Sequence, residues 1–143
     1  MPPEDETPQI AISQVVSGLA MVALDYGMAS RRDSDTLVPF VLMESDGQCY
    51  TQRFDAEPYE TAVAEAKAFL AKVSDSTSAY ALAYDGFVTV EGTQFDAILV
   101  IAGERGDSNA FVFTQRYDAA TDPITLIGSP AFIGPHDSLL GKI

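Results

Sequence analysis

Phe95-Asp96-Ala97-Ile98-Leu99-Val100-Ile101-Ala102 is the stretch that decides the fold. Read as a strand, it places Asp96, Ile98, Val100 and Ala102 on one face and Phe95, Ala97, Leu99 and Ile101 on the other. A strand apolar on both faces belongs in the middle of a sheet. Around it lie three more strand-like segments, 78–90, 109–117 and 124–133. Their joints are Glu91-Gly92, Gly106-Asp107-Ser108 and Thr121-Asp122-Pro123, all turn chemistry. Asp85-Gly86 marks either a tight hairpin or a bulge inside the first of them, and the bulge is the favoured reading.

Upstream the period changes. Tyr59, Val63, Ala66, Leu70 and Val73 recur at helical spacing after Glu57-Pro58, with Pro58 at the first helical position. Before that, 37–43 and 48–54 read as a hairpin closed by Asp46-Gly47. The first helix shows Ile12, Val15, Val16, Leu19, Val22, Ala23 and Tyr26 in register. Thr7-Pro8 signals its start, and Arg31-Arg32 suit the negative end of its dipole. The chain is therefore α+β in the order α-β-β-α-β-β-β-β, an antiparallel meander of about six strands with two helices. Joints this short forbid parallel neighbours. The simplest arrangement puts both helices on one face. Residues 1–6 read as a disordered acidic tail and 7–143 as one domain, an ordinary size for a chain of 143 residues.

One near-repeat runs through the chain. Tyr50-Thr51-Gln52-Arg53-Phe54-Asp55-Ala56 matches Phe113-Thr114-Gln115-Arg116-Tyr117-Asp118-Ala119, the two differences being Phe–Tyr exchanges. Each copy closes a hairpin, which predicts a duplicated helix-hairpin unit with equivalent facing. Tyr50, Gln52 and Phe54, with Phe113, Gln115 and Tyr117, should then look toward the core. Arg53 and Arg116 fall on the opposite face, each two residues from an Asp. That pair is either a solvated ion pair of about 0–1 kcal/mol or a twinned site for an anionic group or partner carboxylate.

Eight Lys and Arg stand against 21 Asp and Glu, for a net charge of -13. Nucleic acid and anionic membrane would repel such a chain, so neither is an expected partner; a basic protein is. Solubility and salt adaptation are the other readings of the excess acid. One cysteine, Cys49, excludes an intrachain disulfide, and no apolar run approaches the length of a membrane span, so a cytoplasmic location is expected. A single histidine and a single cysteine leave no zinc set, and there is no nucleophile elbow, phosphate loop or dinucleotide fingerprint. No metal or cofactor is implied. His136 reads as a loop residue and Cys49 as a packed or edge thiol. Asp96, a carboxylate in an apolar strand, is the one candidate base; the alternative is a solvated or Arg-paired residue near the strand end.

In size, charge and mixed content the chain resembles small acidic bacterial helper proteins such as type III secretion chaperones and toxin immunity proteins. That resemblance implies a non-catalytic binding or assembly role. Unlike those chaperones, it ends in strands. The element order is also similar to that of the NTF2-like cone fold, without its second N-terminal helix. That likeness implies a pocket for a small apolar ligand and, in some members, isomerase or dehydratase chemistry on a carboxylate base. Asp96 would be that base, with Tyr80, Tyr84 or Tyr117 as hydroxyl donor. Finally, the uncharged stretch from Ile124 to Ile127 and the apolar tail of Leu139, Leu140 and Ile143 predict a homodimer through an edge strand or the tail. The tail folding back within one chain is the competing account.

Overall fold

The computed structural model describes residues 12–34 and 36–140, so the acidic segment 1–6, the Thr7-Pro8 start signal and Ile143 lie outside the described residues. The elements are α1 (Gln14–Asp33), β1 (Phe40–Ser45), β2 (Gln48–Arg53), α2 (Tyr59–Lys72), β3 (Thr77–Val90), β4 (Thr93–Glu104), β5 (Asn109–Asp118) and β6 (Thr125–Asp137). They form the α+β architecture anticipated, a six-stranded sheet in the order β2-β1-β3-β4-β5-β6 with every neighbour antiparallel. β3 to β6 meander. Before them, α2 carries the chain past β1, so that β3 pairs with the edge of β1 that β2 leaves free.

The two helices lie on opposite faces, contrary to the simplest expectation. α1 packs through Val16, Leu19, Ala20, Ala23, Leu24 and Met28 onto Leu42, Ala79, Ala81, Ala83, Ile98, Val100 and Ala102. α2 packs through Ala66 and Leu70 onto Val41, Tyr80, Leu82 and Ile101. The reason is visible in β3 and β4 themselves. Both are apolar on both faces, and each face needs its own cover. Each fully buried Leu on either side contributes roughly 1.5–3 kcal/mol. The three alanines of β3 let α1 approach closely. At Gly27 the approach is tight, since a Cβ there would lie 2.8 Å from the Ile98 Cγ2.

α1 begins at Gln14, where the Ser13 hydroxyl accepts from the Val16 N–H at 3.2 Å and so satisfies one of the free amides of the first turn. Both two-residue hairpin turns have left-handed backbone, Asp46 and Gly47 at φ 52° and 80°, Glu91 and Gly92 at 51° and 81°. This twist matches that of the flanking strands. Asp85-Gly86 is neither hairpin nor bulge. β3 runs straight through it, with Asp85 opposite Ile98 and Gly86 opposite Ala97 in an unbroken register. Glycine sits there for space: a Cβ would meet the Leu99 Cδ1 at 2.7 Å.

β1 begins at Phe40, because Pro39 accepts the Phe54 N–H at its carbonyl but has no N–H to return toward β2. Beyond it the Tyr59 hydroxyl substitutes for the missing strand. It accepts the Asp85 N–H at 2.7 Å and donates to the Leu37 carbonyl at 3.0 Å. At the other end of the chain, Leu139 and Leu140 pack against the α2-side core, and the Leu139 N–H donates to the Tyr80 hydroxyl at 2.9 Å. This part of the tail covers its own sheet. Among the described residues no helix is long and apolar enough to cross a membrane.

Candidate functional site

Antiparallel register sets Asp85, Asp96 and Tyr117 on the same face of the sheet. Phe87 lies opposite Asp96, which in turn lies opposite Tyr117 in β5. Arg31, in the last turn of α1, reaches down to them. The Tyr117 hydroxyl donates to the Asp85 Oδ1 at 2.6 Å, and the Arg31 Nε lies 3.3 Å from the Asp85 Oδ2. The same Nε donates to the Tyr117 oxygen at 3.2 Å, with the guanidinium 5.2 Å from the centre of the Tyr117 ring. Together with Tyr59, Phe87 and Asp96 these residues line an open cleft of about 280 Å³.

Burial pushes the Asp85 carboxyl above its ordinary value. The Tyr117 hydroxyl and Arg31 oppose that shift, and the charge of Asp96 adds to it. Burial also raises Tyr59 to about 12, and it raises Tyr117, where the hydrogen bond to Asp85 acts in the same direction. Both phenols are therefore neutral donors across the physiological range. Asp85 is an engaged acceptor that fastens the C-terminal end of α1 to β3 and β5. Asp96 is the half-buried carboxylate beside it, next to Phe87, which is 63% exposed.

Sequence reasoning named Asp96 and Tyr117, and the fold brings those two together. Tyr80 and Tyr84 belong to the α2 side and do not join them. Asp85, which its glycine neighbour makes read as turn chemistry, is the residue that sequence reasoning misses. The signal that finds it is the Glu91-Gly92 turn. Counting back from that turn with β3 unbroken puts Asp85 and Asp96 diagonally across one face.

Arg53 and Arg116 do not form a twinned site. Arg53 is exposed on β2 and, with Tyr26, Ala29, Asp33, Phe40 and Thr51, lines a second open groove of about 470 Å³ beside α1. Arg116 is on the α2 side, its guanidinium 4.8 Å from the centre of the Phe95 ring. The echo segments differ in the same way. β2 is an edge strand with Tyr50 and Gln52 exposed and Phe54 against the α2-side core, whereas β5 is interior with Phe113 and Tyr117 in the α1-side core. A duplicated unit with equivalent facing is thereby overturned. His136 lies in β6 opposite Ala110 and not in a loop, and Cys49 is an exposed edge thiol.

Comparison of the chain with protein-family models, with curated proteins and with solved structures returns no match.

Proposed function

We propose that the protein is a non-catalytic binding or assembly module that takes a basic, amphipathic segment of a partner protein along the outer flank of α1. The observation that carries this reading is an exposed apolar line, Val15, Val22 and Tyr26, running into the groove beside β2. These residues recur at i, i+7 and i+11, so they share one stripe of the helix, away from the side that packs on the sheet. Tyr26 is 54% exposed, with its ring centre 6.4 Å from that of Phe40 on the groove floor. Asp25 and Asp33 flank the line, and the net charge of -13 draws a cationic ligand to it. Both faces of the sheet are filled by side chains beneath their helices, so binding here is to an outer surface. The location we assign is the cytoplasm, where a lone exposed thiol such as Cys49 stays reduced.

The chain has no Trp, so its tyrosine emission is free to transfer energy to a peptide that carries one. A cationic amphipathic helix with one Trp is expected to bind, to weaken as salt is added, and to lose binding with Tyr26→Glu or Val22→Glu. Equal binding of an anionic peptide of the same apolar pattern would remove this reading.

A second reading, a small-ligand pocket using a carboxylate base, is favoured by one observation: Asp96 and the Tyr117 hydroxyl line the same cleft. This cleft is open to solvent, unlike the enclosed cavity that the NTF2-like resemblance implies. A turnover abolished by Asp96→Asn would promote this reading over the first.

A further inference from the structure

The sheet has two edges, β2 and β6, and they are unlike. β6 carries Pro130 and Pro135, and its register against β5 shifts twice. Prolines and irregular register blunt an edge against further pairing. β2 has none of these devices. Its register with β1 is regular over all six residues, all six are exposed, and Arg53 at its end is its one charge.

We propose that β2 pairs with β2 of a second copy, antiparallel about a two-fold axis at Thr51, joining two sheets into one.

Backbone parity selects this register. The two-residue turn makes Ser45 and Gln48 a hydrogen-bonded pair, and the Phe54 N–H donates to the Pro39 carbonyl at 2.9 Å in the same alternation. Gln48, Tyr50 and Gln52 thus direct their backbone groups to β1, while those of Cys49, Thr51 and Arg53 point outward. Three outward residues centred on Thr51 are self-complementary. Thr51 meets Thr51, and Cys49 meets Arg53 of the second copy. The Arg53 carbonyl accepts the Gln52 side-chain amide at 3.2 Å in the single chain, and exchanges it for the Cys49 N–H of the second copy.

Charge supports the same register. Glu44 and Cys49 are cross-strand neighbours, so their side chains share the α1 face, as do those of Phe40 and Arg53. Arg53 of the second copy then reaches over the small Cys49 to Glu44, and symmetry makes the contact twice. Asp46 and Asp55 approach at the margins, which makes association stronger in moderate salt. The echo adds an independent point. In β5 the near-identical sequence is paired on both sides, Thr114 lying between Leu99 and Ala131. The pairing is argued from the edge strand alone and does not depend on the proposed partner, although Thr51 and Arg53 also line the groove beside α1.

Sedimentation at micromolar concentration in moderate salt is expected to give a dimer. Glu44→Arg should weaken it about tenfold, a size in line with two opposed surface charges, and Glu44→Arg with Arg53→Glu should restore it. With Cys49→Ser as background, Thr51→Cys should cross-link readily under mild oxidation, because a hydrogen-bonded pair holds its Cα atoms about 5.5 Å apart. Gln48→Cys in the same background should not, its two copies lying roughly 20 Å apart. A monomer throughout, a dimer indifferent to Glu44→Arg, or equal cross-linking at both positions would overturn the proposal.

Discussion

Replacing Tyr117 with Phe tests whether Asp85 is held as an ionised latch. Tyr117 is 3% exposed, and Phe fills the same space, so no cavity opens and the loss is the hydroxyl alone. That hydroxyl gives Asp85 its shortest hydrogen bond, at 2.6 Å. A hydrogen bond to a charged group contributes about 1.5–3 kcal/mol. The Asp85 side chain is 27% exposed and keeps Arg31, so water replaces part of the loss and the lower end applies. In a chain of this size about 1.5 kcal/mol lowers the thermal midpoint by roughly 3–6 °C.

The pH dependence carries the sharper test. Because the folded pKa of Asp85 lies above 3.8, folding disfavours its ionised form. Stability from this group is therefore greatest below 3.8 and falls as pH rises through the folded pKa. The Tyr117 hydroxyl limits that fall by stabilising the carboxylate. Without it the folded pKa moves further up, so the penalty of Tyr117→Phe is largest at neutral pH and shrinks in acid. Thermal unfolding followed by circular dichroism, in the parent and in an Asp85→Asn background, measures both. A penalty that is the same at all pH values and in both backgrounds would refute the latch.

Gly103→Ala should destabilise by about 1–3 kcal/mol, since its Cβ would fall 2.8 Å from the hydroxyl of the fully buried Tyr80; the shift in the urea midpoint measures it. Tyr59→Phe removes both hydrogen bonds that continue the ladder past Pro39, and should accelerate hydrogen exchange at the Asp85 amide. Leu70→Ala, at the fully buried centre of the α2 interface, should cost about 2–5 kcal/mol by chemical denaturation, and an effect under 1 kcal/mol would mean α2 is loosely docked.

Element order and type were legible because each rests on local signals: turn residues at Asp46-Gly47 and Glu91-Gly92, and a clear change of period after Val73. The layering was also written in the sequence, in the two apolar faces of β3 and β4, but the one-face arrangement overlooked that each face must be covered. Asp85 was hidden by its neighbour. Asp-Gly is a turn dipeptide in most settings, and nothing local to it reveals that Leu99 crosses above and requires a glycine. Arg31 was placed correctly at the end of α1, yet its partner depends on a register fixed six residues further along β3, at the Glu91-Gly92 turn. Groups that meet across strands become readable only once a turn sets the count.

The echo shows the same dependence at the level of the whole sheet. From β2 through to β5, with Ser45 opposite Thr77 the one exception, each antiparallel pairing joins an even-numbered residue to an odd-numbered one, as in Phe40 with Arg53, Phe40 with Ala83, Ala83 with Val100 and Val100 with Phe113. Cross-strand partners share a face. β2 is one such step from β1 and β5 is three, so in both strands the odd-numbered residues face α1. Tyr50 and Phe113 differ in parity, and the two copies must therefore face opposite ways however well their residues match. A near-identical strand sequence specifies extended backbone and pairing capacity. Which face it shows is set by how many residues the intervening turns and helix insert. Arg53 and Arg116 part company for that reason: Arg116 is committed to the Phe95 ring on the α2 face, and Arg53 is left exposed at an edge beside α1.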